Sequence, residues 1–204
     1  MLRRVERYYT GKFTQHGATP RGVDWNSVES QALRFEQVLK VCDTSRPFRL
    51  LDYGCGYGAL LDHVRARGFD CEYVGFDLSA PMLDHARDTH PRDAAARFVG
   101  EAEALEPVDY VVASGILNVR QDVPVDDWRA YVLSVIGRLG ALGTRGFSFN
   151  SLTSYSDADR MRPDLYYPDP CDLFDHCKRE HSRNVALLHD YGLYEFTILV
   201  RKDV

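Results

Sequence analysis

The segment Leu50-Leu51-Asp52-Tyr53-Gly54-Cys55-Gly56-Tyr57-Gly58 sets three alternate glycines directly after an apolar run. Glycine serves where backbone must turn sharply or pass close to a ligand, because a Cβ would collide with the ligand or forbid the turn. Two acids accompany the loop: Asp52 stands two residues before Gly54, and Asp77 ends the next apolar run in Gly75-Phe76-Asp77-Leu78-Ser79. Gly54, Gly56 and Ala59 also satisfy the looser dinucleotide spacing G-x-G-x-x-A, with Asp77 at a distance suited to a ribose. Charge separates the two kinds of ligand. A dinucleotide brings a doubly negative pyrophosphate to such a loop and to the following helix N-terminus. Asp52 would repel that anion if it faced the ligand, but would attract an ammonium or sulfonium. Asp77 is placed to accept hydrogen bonds from two ribose hydroxyls. Without any ligand, both carboxylates could simply cap the helices that follow them.

These groups need a scaffold that brings strand ends together, and the chain has the rhythm of one. Apolar runs at 49–53, 73–78, 97–100, 110–114 and 146–150 read as strands, and stretches at 57–67, 81–90 and 126–142 read as helices. Ser79 is placed to cap the second of those helices, with Pro81 in its first turn. Strands alternating with helices of this length imply βαβ units and a parallel sheet covered on both faces. A helix near 172–181 and strands at 184–189 and 195–201 complete the chain. The five residues between those last strands permit only an antiparallel hairpin, because a parallel crossover needs about a dozen residues or more. The fold class is therefore α/β, with a doubly wound sheet and a reversed last strand.

With these elements placed, Asp52-x-Gly54-x-Gly56-x-Gly58, then Gly75-Phe76-Asp77-Leu78-Ser79 and Met82, resembles the class I S-adenosylmethionine-dependent methyltransferases. Glu101-Ala102 after the third strand and Ser114-Gly115-Ile116-Leu117 after the fourth fit the same family, and the similarity covers about residues 48–202. The resemblance implies a seven-stranded, mostly parallel sheet with S-adenosylmethionine lying across the carboxyl ends of its first strands. It implies that Asp77 holds the ribose, that Leu78 and Met82 flank the adenine and that Glu101-Ala102 reach its amino edge. Gly54 and Ser114 are implied near the methionine part, and Cys55, Gly56 and Gly115 among the other cofactor contacts. The segment after strand four lacks the histidine many relatives carry there, and also the Asn/Asp-Pro-Pro-Tyr/Phe tetrad of amino-group methylating DNA and protein enzymes. A small-molecule acceptor methylated on oxygen or nitrogen is the resulting expectation. An NAD-dependent oxidoreductase, or a cofactor-binding protein without catalysis, is the alternative.

In such a topology the ends of the fourth to sixth strands share the ligand face, which brings Asn118, Asn150 and His189-Asp190-Tyr191 into consideration around an acceptor. An acceptor that must lose a proton needs a base, and His189 and His16 are the candidates. The first 47 residues form an N-terminal arm ahead of a domain at 48–204. Residues 8–26 read as an ordered loop rich in aromatics, followed by a helix from Ser27, its cap, in a segment that Pro47 closes. The expectation is a lid in which Tyr9 and Trp25 wall the pocket and Arg34 reaches the cofactor's carboxylate. An ordinary packing arm is the alternative. An insertion at 151–171 carries Arg160 and Arg162, which suit an acidic acceptor or simply a solvated surface.

Composition narrows the partners. The 204 residues are 45% hydrophobic and 27% charged, which suits a folded domain of ordinary make-up. The formal charge of −5 argues against a dedicated nucleic-acid binder. No run approaches the roughly 20 apolar residues of a transmembrane helix, and the charged start Met-Leu-Arg-Arg-Val-Glu-Arg does not read as a secretion signal. Five scattered cysteines (42, 55, 71, 171 and 177) read as reduced thiols of a cytoplasmic protein. Cys171, Cys177 and His181 lack a fourth ligand or a paired C-x-x-C, so no metal is expected.

Overall fold

The N-terminal residues form helix α1 (Leu2–His16), not the loop expected over 8–26. The structure, a computed structural model, describes residues 2–202. An isolated helix of this length is marginal in water, and what holds α1 is tertiary. The Tyr9 hydroxyl donates to the Gly115 carbonyl (3.0 Å), Thr10 pairs with the Ser79 hydroxyl (2.8 Å), and Tyr8 donates to Asp24 (2.7 Å). None of those partners is within ten residues in the chain, which is why local pattern did not announce the helix. After a 3-10 turn at Pro20–Val23 comes α2 (Val28–Leu39), capped as expected. The Ser27 hydroxyl accepts from the Ser30 amide, and the Ser30 hydroxyl accepts from the Ser27 amide.

The remainder alternates as expected: β1 (Phe48–Tyr53), α3 (Ala59–Ala66), β2 (Cys71–Phe76), α4 (Ala80–Thr89), β3 (Ala96–Val99), β4 (Val108–Ala113), α5 (Val125–Leu142) and β5 (Gly143–Leu152). Then follow α6 (Pro170–Glu180), β6 (Asn184–Leu188) and β7 (Glu195–Arg201). The seven strands lie in the order β3-β2-β1-β4-β5-β7-β6. Six run the same way; β7 alone is antiparallel to both its neighbours. The expected insertion starts later than 151, because β5 pairs with β7 through Leu152, opposite Glu195. It also ends earlier, because Asp169 caps α6 by accepting from the Cys171 amide (2.8 Å).

The sheet is buried on both faces, so its strands read as continuous apolar runs. Along β4, Val111 and Ala113 face a core with Trp128, Ile136 and Leu139 of α5, while Tyr110 and Val112 face Phe35 and Val38 of α2 and Leu60 and Leu61 of α3. The Trp128 indole N–H donates to the Leu117 carbonyl (2.9 Å), fixing the loop after β4 against α5. Ser79 stands at the N-cap position of α4, but its hydroxyl makes no capping bond; it is given over to Thr10 of α1. Among the described residues no helix is long and apolar enough to cross a membrane.

Candidate functional site

The glycine loop is pinned from two sides. The Gly54 and Cys55 amides both donate to the Phe76 carbonyl at the end of β2 (2.7 and 2.9 Å). Gly54 has φ +94°, and a Cβ there would lie 2.2 Å from Cγ2 of Ile116, so the loop after β1 and the loop after β4 touch at a point only glycine allows. Asp77 accepts from the Gly56 amide (2.9 Å) and from the Ser79 amide (2.8 Å), which ties the loop to the start of α4. The Ser79 amide belongs to the residue at the N-cap of α4, a helix without a side-chain cap bond, and the Asp77 side chain lines the cavity above the loop. Burial pushes its carboxyl up, against the pull of the Ser79, Gly56 and Leu78 amides.

Asp52 is 3% exposed and accepts from the Tyr73 hydroxyl (2.7 Å). Burial lifts its carboxyl to about 7; the Tyr73 bond opposes the rise and the Asp77 charge adds to it. The buried carboxyl lines the same cavity as Asp77. On the far wall the Gly115 amide donates to Oδ1 of Asn150 (2.8 Å), whose Nδ2 donates to Ser114 (3.0 Å). Asn150 is fully buried and supports the turn after β4 instead of meeting an acceptor directly. Gly115 has φ +79°, and a Cβ would stand 2.9 Å from the Trp25 ring, so this turn too is shaped around an aromatic wall.

The structure gathers Trp25, Asp52, Gly54, Cys55 and Gly56 around one cavity, together with Asp77, Leu78, Met82, Ala102, Ser114 and Gly115. Four predicted residues are not among its walls. Glu101 is exposed beside Ala102. Arg34, expected at the cofactor's carboxylate, is bound through Nε and an Nη by both oxygens of Glu195 (2.8 and 2.7 Å). Glu195 is the first residue of β7, one of the strands α2 packs on, and so lies within reach of Arg34. His189 is exposed, with its ring near Tyr155 and Phe196 at 5.9 and 6.2 Å. His16 ends α1, a turn and more beyond Tyr9, and neither histidine lines the cavity. The Cys55 thiol is driven up by burial and so is poorly nucleophilic.

Sequence reasoning missed Val5 and Glu6 of α1, Ile116, and Tyr131 of α5, which also line the cavity. Their signal was absent because each sits on an element whose packing, not its local pattern, decides which face looks inward. Among the described residues no three His, Cys, Asp or Glu side chains converge as they would around a metal ion.

The comparisons with known proteins point one way. A family described as a methyltransferase domain matches residues 26–194. The chain is 53% identical over 164 residues to a Mycobacterium tuberculosis protein named "Putative methyltransferase Rv1506c", covering 80% of this chain and 99% of that protein. Its fold is similar to the N-methyltransferase NodS from Bradyrhizobium japonicum, solved with S-adenosyl-L-homocysteine, at TM-score 0.65 and 15% identity over 100% of this chain and 98% of that one. It is also similar to human N-acetylserotonin methyltransferase, solved with S-adenosylmethionine, at TM-score 0.58 and 16% identity over 98% and 67% of the two chains.

Proposed function

The chain belongs to the methyltransferase domain family, and from that premise we propose that it transfers a methyl group from S-adenosylmethionine to a small-molecule acceptor. The observation that carries this reading is the pair of carboxyl groups, Asp52 and Asp77, facing one cavity beside a glycine loop that tolerates no Cβ at Gly54. The residues fit that group. Asp77 offers a carboxylate at the cavity wall for a vicinal diol, Leu78 and Met82 offer apolar surface for a base, and Asp52 offers a negative partner for an ammonium. Trp25 and Tyr9 add aromatic surface, which favours a cation further. A nicotinamide dinucleotide would instead set its pyrophosphate toward Asp52. When bound, S-adenosylmethionine supplies a methyl carbon made electrophilic by its sulfonium, so that the acceptor's lone pair bonds to carbon as the carbon–sulfur pair returns to sulfur.

What the chain itself contributes is placement and exclusion of water. Helix α1 roofs the cavity through Val5, Glu6 and Tyr9, and residues 1–26 act as the lid. Removing them is expected to weaken S-adenosylhomocysteine binding by about 100-fold, roughly 2.7 kcal/mol, since the roof and Trp25 go together. Calorimetric titration checks this, with a thermal melt to verify that residues 27–204 stay folded. Unchanged affinity would reduce the arm to packing.

The buried Asp52 gives the reading a pH signature. Below about 7 it is neutral in the free protein, and an ammonium partner stabilises its charged form. Binding must therefore release a proton at pH below 7, and affinity rises with pH until Asp52 is ionised without help. S-adenosylhomocysteine is expected to bind several-fold tighter at about pH 7.5 than at about pH 5.5, a window in which its α-ammonium stays largely charged. Titrations in buffers of different ionisation heat would count the proton, and a flat profile would remove Asp52 from the cation site. The direct test of the function is a screen of pooled metabolites with isotopically labelled methyl donor, read by mass shift. Tight NAD binding with none of S-adenosylhomocysteine would reverse the assignment.

A further inference from the structure

A second cavity of about 210 Å³ adjoins the first. The two share Tyr9, Val23, Trp25 and Gly115, which form the partition between them. Beyond the partition the walls become strongly charged, with Arg34, Arg160, Arg162, Asp24 and Glu195. Most of these charges satisfy one another. Both oxygens of Glu195 are taken by Arg34. Asp24 accepts from Tyr8 and lies 2.9 Å from the Lys12 ammonium. Arg162 donates to both oxygens of Asp164 (3.1 and 2.6 Å) and stands 3.7 Å from Asp24.

Arg160 is the exception. Its nearest ion-pair partner among the described residues is Asp159 at 3.9 Å, too long for a hydrogen bond, and its side chain is 69% exposed at the rim. Both carboxylates of the lining are thus occupied by cations, while Arg160 has only the long contact to Asp159 outside the lining, so among the lining residues the unpaired charge is positive. The aromatic surface nearby is held in place: the Tyr167 hydroxyl accepts from the Arg162 amide (3.0 Å), and the Tyr194 hydroxyl donates to Asp157.

We propose that this second cavity receives the methyl acceptor, and that the acceptor bears an anionic oxygen group, a carboxylate or phosphate, met by Arg160. Its body lies against Trp25 and Tyr167, and its attacking atom is at the Tyr9–Trp25–Gly115 partition. The proposal rests on the first cavity holding the methyl donor. It deepens that reading, because it names a chemical class of acceptor from residues of four separate segments: α1, the loop at 24–26, the turn after β4 and the insertion after β5.

The test uses benzoate and phenyl phosphate as anionic probes, with benzyl alcohol and benzylammonium as neutral and cationic counterparts of the same shape. Each is titrated into the full chain, free and saturated with S-adenosylhomocysteine. The readout is the Trp25 indole resonance, assigned with Trp25→Phe; Trp128, buried on α5, serves as the internal control. Saturable shifts of Trp25 with the anions alone, in both forms of the protein, are expected. Arg160→Glu should weaken them by about tenfold and Arg160→Lys by much less, with S-adenosylhomocysteine affinity retained. Benzyl alcohol or benzylammonium binding as tightly as benzoate would overturn the proposal, as would indifference to Arg160→Glu or the absence of any anion-induced shift. Failure of S-adenosylhomocysteine to bind would instead overturn the donor site, leaving the titrations of the free protein to judge the second cavity alone.

Discussion

Asp77→Asn is expected to lower the affinity for S-adenosylhomocysteine by about 1.5–3 kcal/mol, roughly 10- to 150-fold, while the chain stays folded. The carboxylate has two duties. One oxygen accepts from Gly56 of the glycine loop and the other from Ser79 at the start of α4, and the same carboxylate lines the cavity proposed for the ribose hydroxyls. An amide in its place keeps one oxygen but turns an NH₂ group toward a backbone N–H, so one internal bond becomes a clash of donors and one ligand bond loses its charge. Asp77→Ala would go further and leave both amides without their acceptor, at about 1–3 kcal/mol of folding free energy for each that water cannot reach. Comparing the two variants by titration and by thermal melt separates the ligand's share from the loop's. Wild-type affinity in a folded Asp77→Asn protein would remove the ribose assignment.

The larger effect on stability is expected at Glu195. Arg34 and Glu195 are 8% and 3% exposed and joined by two hydrogen bonds between α2 and β7. Removing one member of such a pair leaves the other as an uncompensated buried charge, which typically costs about 3–5 kcal/mol. For a domain of this size that corresponds to a fall in Tm of roughly 10 °C. Glu195→Ala should show that loss in calorimetry and in urea unfolding. The double replacement Arg34→Met with Glu195→Leu should recover most of it, because apolar groups of similar volume avoid the desolvation cost. The Arg34 guanidinium also lies 5.1 Å over the Trp25 ring. Cofactor affinity in Glu195→Ala should therefore fall together with stability, as the indole loses its backing. A melt within about 1 kcal/mol of wild type for Glu195→Ala would mean that the arginine finds water or another partner when released.

The difference between Asp77 and Arg34 shows how far residue types and spacing reach. A glycine loop after a strand, an acid at the next strand end and alternating elements are local signals. They specified the doubly wound sheet and its reversed β7; the family resemblance and the reading of the N-terminal arm added further residues, and eleven of the thirteen expected at the cofactor line one cavity. Strand ends are brought together by topology alone, so naming the strand is enough to place the residue. Side chains that cross between elements obey no such rule. Arg34 has the reach and charge to serve a ligand's carboxylate, but the carboxylate it meets comes from 161 residues away in the chain. His189 sits at the ligand-facing end of β6, but that strand is at the sheet edge, farthest from the glycine loop in the strand order.

Helix α1 lies at the other extreme. Its tyrosines and glycine carry little helical preference of their own; Tyr8 meets Asp24 of the following loop, and the contacts to Ser79 and Gly115 exist only once the sheet is assembled. The same assembly creates the partition between the two cavities, to which α1, the loop before α2 and the turn after β4 each contribute a wall. By itself, the order of amino acids determined which backbone would bend around a ligand and where its acids would stand, since those follow from steric and charge requirements within a few residues. Tertiary structure alone decided which side chains face one another across the resulting space, because that depends on packing distances no local stretch of chain encodes.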